Sequence, residues 1–471
     1  MNERNRLIQI GKYALLGLAG YKALVFFGRK IINKTTKKFV TTLATDKYDE
    51  NLWSLFSSTN RTGLQNIIEI GLRAERGEKI LRPMGTPKKL PALDGLVFDF
   101  THLKRMPPPL DVPIDLKVTI GKKTKRPLEI NLPIMISGMA YGLALSEKVK
   151  IALAKGASIA GTASNTGEGP PLPEERKASK RLIVQISRGG WTDIDAIRCA
   201  DMIEMQLGQG TSGGIGSMTP WKDLRGKAAD LINLSQNQYA LTHAHLPNVL
   251  KAKDLRGLVD DLRYETDGVP IGAKLGAGSI SLEDDIGSLL DAGVDFIALD
   301  TSNAATKGSL PTLQDDFGLP LVIALPRVIR FLEREGMRKK IDLIASGGLI
   351  KPGDFLKAIA LGADAVYSGT AVLFAVSHRQ TEKILPWEPP GTLIWYNGTK
   401  KKSFDIDLGT RSLANYLNSI KEEIEDSLRA MGKTSIHQLN QDDLRALDLE
   451  TYLMTGITPA FPRQKLSKIL D

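Results

Sequence analysis

The residues of this chain with the clearest chemical purpose are glycines and hydroxyl residues at the ends of short apolar runs. Ala345-Ser346-Gly347-Gly348-Leu349 closes one run, and after a helical stretch Ser368-Gly369-Thr370-Ala371 closes the next. Glycine leaves backbone N–H groups open to an anion, and a helix starting just beyond adds the positive end of its dipole. Turns use glycine anyway, but two such sites at consecutive strand ends favour a phosphate. A second set suits a planar ring. Lys274 lies near the end of Ile271-Gly272-Ala273-Lys274-Leu275, where a buried lysine is costly unless paired. There it could hold the negative charge that develops at N1 and O2 of an isoalloxazine ring on reduction. Gln185 could bond the polar edge of such a ring, and Ser137-Gly138-Met139-Ala140 offers backbone and sulfur contacts to its face. Gln185 and Met139 serve equally well as ordinary satisfied interior residues.

These residues need elements to position them. Eight short apolar runs recur: Pro133–Ser137, Ser158–Ala163, Leu182–Ser187, Met202–Leu207, Ile271–Leu275, Phe296–Thr301, Ile341–Ser346 and Ala365–Ser368. Helical patterns stand between them at Ser146–Lys155, Asp193–Ala200, Leu282–Ala292, Leu321–Glu335 and Pro352–Leu361, with acidic residues just after Ser146 and Ser281. Eight such strands alternating with helices predict an α/β chain folded as a (β/α)8, or TIM, barrel, with its chemistry at the C-terminal ends of the strands. The expected divisions are 1–34, a hydrophobic anchor and basic flank; 35–131, an extension packing on the barrel; 132–375, the barrel; and 376–471, a partly helical C-terminal extension. A helix is expected near Asn51–Glu75, an irregular stretch at Leu81–Pro113, and helical pattern in the tail, strongest over Thr410–Ala430. After the fourth strand, Gly208 to about Arg256 reads as an insertion on the functional face.

The order of motifs resembles the FMN-binding synthase domain of glutamate synthase and its short bacterial and archaeal relatives. It runs Ile136–Gly142 (ISGMAYG), Ala163–Gly169 (ASNTGEG), the stretch around Gln185, Met202–Gly210 (MIEMQLGQG), the stretch around Lys274, and the two glycine sites. Ser164-Asn165-Thr166-Gly167-Glu168-Gly169 is the most specific piece. The resemblance covers roughly Leu132–Ala375. It implies FMN over the barrel mouth, held by Ser137, Gly138, Met139, Ser164, Asn165, Gln185, Lys274, Gly347, Gly348, Ser368, Gly369 and Thr370. Lys274, Glu168 and Gln209 are the residues expected to serve the chemistry. The reaction implied is reduction of 2-iminoglutarate, made from 2-oxoglutarate and ammonia, to glutamate.

Some positions depart from the family pattern. Where a K-x-x-Q-G-A-K-P-G stretch is usual after the fourth strand, this chain has Gln206-Leu207-Gly208-Gln209-Gly210-Thr211-Ser212-Gly213-Gly214, without either lysine. The glycine-rich loop after the sixth strand reads Asn303-Ala304-Ala305-Thr306-Lys307-Gly308-Ser309. Losing cations beside a dicarboxylate bears on its recognition, and Lys307 or Arg181 are candidate replacements. The barrels of 2-hydroxy-acid oxidases and of inosine-monophosphate dehydrogenases carry a histidine or a loop cysteine in this region, and Leu299–Pro311 has neither. The alternative reading is a membrane-tethered flavin-binding or degenerate barrel with an assembly or sensing role.

Composition narrows the classes further. With one cysteine, Cys199, no disulfide framework or Cys-ligated iron–sulfur cluster can form within the chain, and five scattered histidines show no metal-ligand spacing. No iron–sulfur cluster and no metal are expected. A net charge of +10 is spread along the sequence, without a nucleic-acid module, so the expected partners are a small-molecule substrate, an electron donor of unknown kind and a membrane. Ile8–Gly28 is nearly apolar and as a helix would be ~30 Å long. Lys12 and Lys22 interrupt it, and Arg29, Lys30, Lys34, Lys37 and Lys38 follow. The expectation is an uncleaved N-terminal anchor with the catalytic body on the cytoplasmic side, and an amphipathic helix on a membrane or on the barrel as its competitor.

Overall fold

The computed structural model describes residues 3–49, 51–278, 280–304 and 308–461. They form two compact units, Met1–Ile80 and Leu81–Asp471. The first contains three helices, Glu3–Thr45, Trp53–Thr62 and Leu64–Arg76. The single helix expected near Asn51–Glu75 is therefore two, broken at Gly63, whose φ of +81° no helix accommodates.

The expected membrane anchor is not borne out. Among the described residues, no helix is long and apolar enough to cross a membrane. Lys12 and Lys22 fall ten residues apart within the apolar run, and the helix does not stop at Gly28 but continues to Thr45 through Arg29, Lys30, Lys34, Lys37 and Lys38. With basic residues recurring from Arg29 onward, the described part of the helix offers no continuous apolar stretch of the ~20 residues a span needs. The orientation argument drawn from those flanking charges, and with it the cytoplasmic placement of the body, falls with the anchor.

The second unit is built on eight parallel strands: β1 (Ile134–Ile136), β2 (Ser164–Asn165), β3 (Leu182–Ile186), β4 (Met202–Gln206), β5 (Ile271–Gly276), β6 (Phe296–Asp300), β7 (Asp342–Ser346) and β8 (Ala365–Ser368). They pair in the order β1-β8-β7-β6-β5-β4-β3-β2. The Ile136 N–H donates to Ala163 O at 3.0 Å and bridges the remaining gap between β1 and β2. Helices on the outside and side chains inside cover both faces, which explains why the strands read as near-continuous apolar runs. The predicted second run sits too early: Ser158–Ala160 belongs to the helix Glu147–Ala160, which ends at Gly161 in the left-handed conformation. Alanine-rich sequence suits a helix better than a strand, and the glycine cap marks the end.

Flanking segments close the barrel at its base and sides. A hairpin of Val118–Ile120 and Leu128–Ile130 lies at the N-terminal ends of the strands, where the Gly121 N–H donates to Asp342 Oδ2 at 2.6 Å. Strand Leu96–Phe98 pairs antiparallel with Leu444–Ala446, tying the N-terminal extension to the tail. The tail helix Ile406–Ala430 packs on the helix Glu147–Ala160, where Gly156 allows close approach to Leu413. The insertion after β4 carries its own hairpin, Ser217–Pro220 with Tyr239–Thr242.

The base has a titratable weak point. Burial, and then the neighbouring Asp364 carboxylate, push Asp342 from the ordinary value of 3.8 up to about 6. Between those values the folded chain holds a proton that the unfolded chain has lost, so stability falls as pH rises through this window. Asp342→Asn keeps an acceptor for the Gly121 N–H and removes the charge. The expected result is a melting curve that no longer declines between about pH 4 and pH 6, with a gain of roughly 1–2 kcal/mol at neutral pH. Denaturant melts of both chains across that range check it, and a parallel decline in the two would refute it.

Candidate active site

Because all eight strands are parallel, their C-terminal ends meet at one mouth, and a cavity of about 350 Å³ opens there. Ser137, Gly138, Met139, Glu168, Gln209, Lys274, Gly347, Gly348, Gly369 and Thr370 all stand on its wall. Ser164, Asn165, Gln185 and Ser368 are buried and do not line it. Ser164 points out of the barrel, its hydroxyl 2.7 Å from that of Ser179. On the two-residue strand β2 alternate side chains face opposite ways, so Asn165 faces inward when Ser164 does not.

The glycine sites have the geometry an anion needs. Gly347 and Gly348 have φ of +119° and +71°, and a Cβ at either would collide with Thr301 or Asn303. Only glycine fits both the backbone and the loop that presses on it. Gly369 precedes the helix Thr370–Ser377, whose first N–H groups have no partners within the helix. The buried Ser368 hydroxyl beside it has no hydrogen-bond partner among the described residues.

Opposite them is a polar relay. Gln209 Oε1 accepts from Gln206 Nε2 at 2.9 Å and from Lys274 Nζ at 3.5 Å, while Gln209 Nε2 donates to Glu168 Oε1 at 3.2 Å. Lys274 is almost fully buried, and among the described residues that 3.5 Å contact is its side chain's hydrogen bond. A buried ammonium so weakly satisfied calls for an anionic ligand. Among the described residues Glu168 Oε2 is buried without a hydrogen-bond partner, as are Gln206 Oε1 and Gln185 Oε1. The mouth thus offers a cation at Lys274 and, at Glu168 on the same wall, a carboxylate.

Several contributors were not named from the sequence. Glu204, fully buried on β4, accepts from Asn165 Nδ2 at 3.1 Å, Gln185 Nε2 at 2.6 Å and the Tyr367 hydroxyl at 2.7 Å. A carboxylate in the otherwise apolar Met202-Ile203-Glu204-Met205 was its only signal. Lys150 and Glu175 form an ion pair at 2.9 Å, each 1% exposed. Burial pushes the Lys150 ammonium down and the Glu175 carboxyl up, and each partner opposes the other's shift. Lys150 shares a helical stripe with buried Leu153, Ala154 and Ala157, which was the clue to its burial.

The N-terminal extension also reaches the mouth. Met84, Gly85, Thr86 and Lys88 line the cavity. They are held there by Arg82, whose guanidinium meets both oxygens of Asp315 at 2.6 and 3.1 Å, and by Lys88, which donates to Asp315 O and Asp316 Oδ1 at 2.9 Å each. Of the cations proposed to replace the missing lysines, Arg181 precedes β3 and so stands at the opposite end of the barrel. Lys307 lies outside the described residues.

Residues 97–434 match the family described as the conserved region in glutamate synthase. The glutamate synthase large subunit-like protein of Rhizobium meliloti is 32% identical over 412 residues, covering 83% of this chain and 92% of its own length. Archaeal-type glutamate synthase (NADPH) of Thermotoga neapolitana is 28% identical, covering 84% of this chain and 83% of its own. Archaeal glutamate synthase (NADPH) of Methanocaldococcus jannaschii is 29% identical, with 81% of each covered. The match takes in all eight barrel strands and the hairpin at their base, and the chain belongs to the glutamate synthase family as an oxidoreductase of its FMN type.

Proposed function

We propose that the chain reduces a carbon–nitrogen double bond with FMN, and that its substrate is 2-iminoglutarate, formed from 2-oxoglutarate and ammonia. One observation carries the reading: across a single cavity, Lys274 is a buried cation with one long hydrogen bond among the described residues, and Glu168, beside the buried Arg188 guanidinium, has a carboxylate oxygen, Oε2, that accepts no hydrogen bond among them. When bound, FMN supplies the hydride that reduces the C=N carbon. Gly347, Gly348 and the N-terminus of the helix Thr370–Ser377 would hold its phosphate, with Ser368 beneath them. Lys274 would hold negative charge on the ring's pyrimidine edge.

Glu168 would select the nitrogen. Its free oxygen accepts a hydrogen bond from a substrate N–H, and Gln209 fixes the carboxylate by bonding its other oxygen. A 2-oxo acid has no N–H to place there and leaves a buried acceptor unpaired, a difference of ~1–3 kcal/mol against it. Lys88 is the second lysine on the cavity wall, brought by the N-terminal extension; it would have to share its ammonium between Asp315 O, Asp316 Oδ1 and a substrate carboxylate to stand in for the lysines whose places Gln206, at the end of β4, and Ser212, in the loop after it, occupy.

The expected outcome is that anaerobically reduced, FMN-loaded protein is reoxidised by 2-oxoglutarate with ammonium, yielding glutamate, and not by 2-oxoglutarate alone. Stopped-flow absorbance of the flavin with amino-acid analysis of the product reads both. Reoxidation indifferent to ammonium would overturn the assignment of Glu168 and of the substrate.

A further inference from the structure

Three backbone carbonyls at the ends of β1 and β2 converge on one side chain. Lys150 Nζ lies 2.8 Å from Met139 O, 2.8 Å from Asn165 O and 3.1 Å from Thr166 O, besides its ion pair with Glu175. The two loops it gathers are stacked on each other so closely that a Cβ on Gly167 would come within 2.6 Å of Met139 and Ala140 backbone atoms. Met139, Ala140 and Glu168, on these same loops, line the cavity. A planar peptide that turns its carbonyl towards Lys150 turns the following N–H the other way, so the Ala140 N–H faces away from the lysine.

We infer that Lys150 is a positioning residue: a buried cation that clamps the loops after β1 and β2 together from behind, setting the wall against which the flavin ring and the substrate are held. The inference rests on the reading of the cavity as a flavin site. An ion pair this deep is weak evidence of a stability role, because desolvation cancels much of the attraction. Its other contacts are more informative. An ammonium with three N–H donors is spent on three carbonyls of two separate loops, and an apolar side chain of the same size could fill the space but could not hold them in register.

The test separates the clamp from the charge pair. Lys150→Met alone leaves Glu175 buried and unpaired and is expected to fold poorly. The double variant Lys150→Met/Glu175→Leu removes both charges. It is expected to recover much of the thermal stability, yet to bind FMN roughly tenfold more weakly than wild type, with an altered visible flavin spectrum. Glu175→Gln keeps the three carbonyl contacts, so it is expected to lose stability and keep wild-type flavin affinity and spectrum. FMN titrations followed by fluorescence, beside melting curves of the same full-length proteins, give every arm. If the double variant binds FMN like wild type, or if Glu175→Gln loses affinity as the double variant does, Lys150 is only half of an ion pair. If wild type itself binds no FMN, the flavin reading fails before the clamp is tested.

Discussion

Lys274→Met is expected to make the FMN-free protein more stable and the flavin complex much weaker. The two effects have one cause. The ammonium is almost fully buried and among the described residues has one side-chain hydrogen bond, of 3.5 Å, so without a ligand its desolvation is poorly compensated. Removing it should raise the melting temperature of the empty chain, by the equivalent of ~1–3 kcal/mol. The same removal takes the countercharge from a reduced ring. Loss of a charge-assisted contact worth ~2–4 kcal/mol weakens binding by a factor on the order of 30 to 1,000, and more for reduced than for oxidised FMN, so the reduction potential falls. Differential scanning calorimetry of the empty protein and potentiometry of the loaded one read the two effects. An unchanged potential would show that Lys274 does not face the ring.

Glu204→Ala should be among the most damaging single substitutions in the barrel. One carboxylate closes the hydrogen bonds of Asn165, Gln185 and Tyr367, and all three are buried. Burial and the Glu204 charge push the Tyr367 hydroxyl well above its ordinary pKa, so it stays a donor. Stranding three donors at ~1–3 kcal/mol each amounts to roughly 3–9 kcal/mol, a large part of the stability of a typical domain. Glu204→Gln retains a carbonyl oxygen and should cost less. Soluble yield and urea midpoints would rank wild type, Gln and Ala in that order, and an Ala variant as stable as wild type would mean the network is dispensable.

How far the sequence reveals this molecule depends on the range of the forces involved. The barrel strands could be read because burial on both faces leaves a continuous apolar run, a local signal. The glycine sites could be read because positive φ and close backbone approach restrict the residue type itself, as at Gly347 and Gly348. The helix Glu147–Ala160 ran past its predicted end because alanine and serine carry little periodicity there. Side-chain direction was harder. Ser164 and Asn165 are neighbours in one motif, yet one serves the outside of the barrel and the other the interior.

Contacts between distant residues left little trace. Lys150 meets carbonyls of Met139, Asn165 and Thr166 only after three elements have folded together, and Arg82 finds Asp315 233 residues along the chain. The segment from Met84 to Lys88 has no secondary structure to announce that it crosses the mouth. The N-terminal helix shows the reverse error, in which a local signal was over-read. A run of apolar residues suggested a membrane span, but the helix continues through five further basic residues, and among the described residues no helix is long and apolar enough to cross a membrane.

The most direct test of the account is a titration of the full-length, FMN-free protein with FMN, followed by flavin fluorescence. The account predicts saturable quenching to one FMN per chain and a yellow protein that bleaches on anaerobic reduction. A colourless protein that neither quenches nor retains FMN would contradict it and would leave a barrel that keeps the family's scaffold without its chemistry.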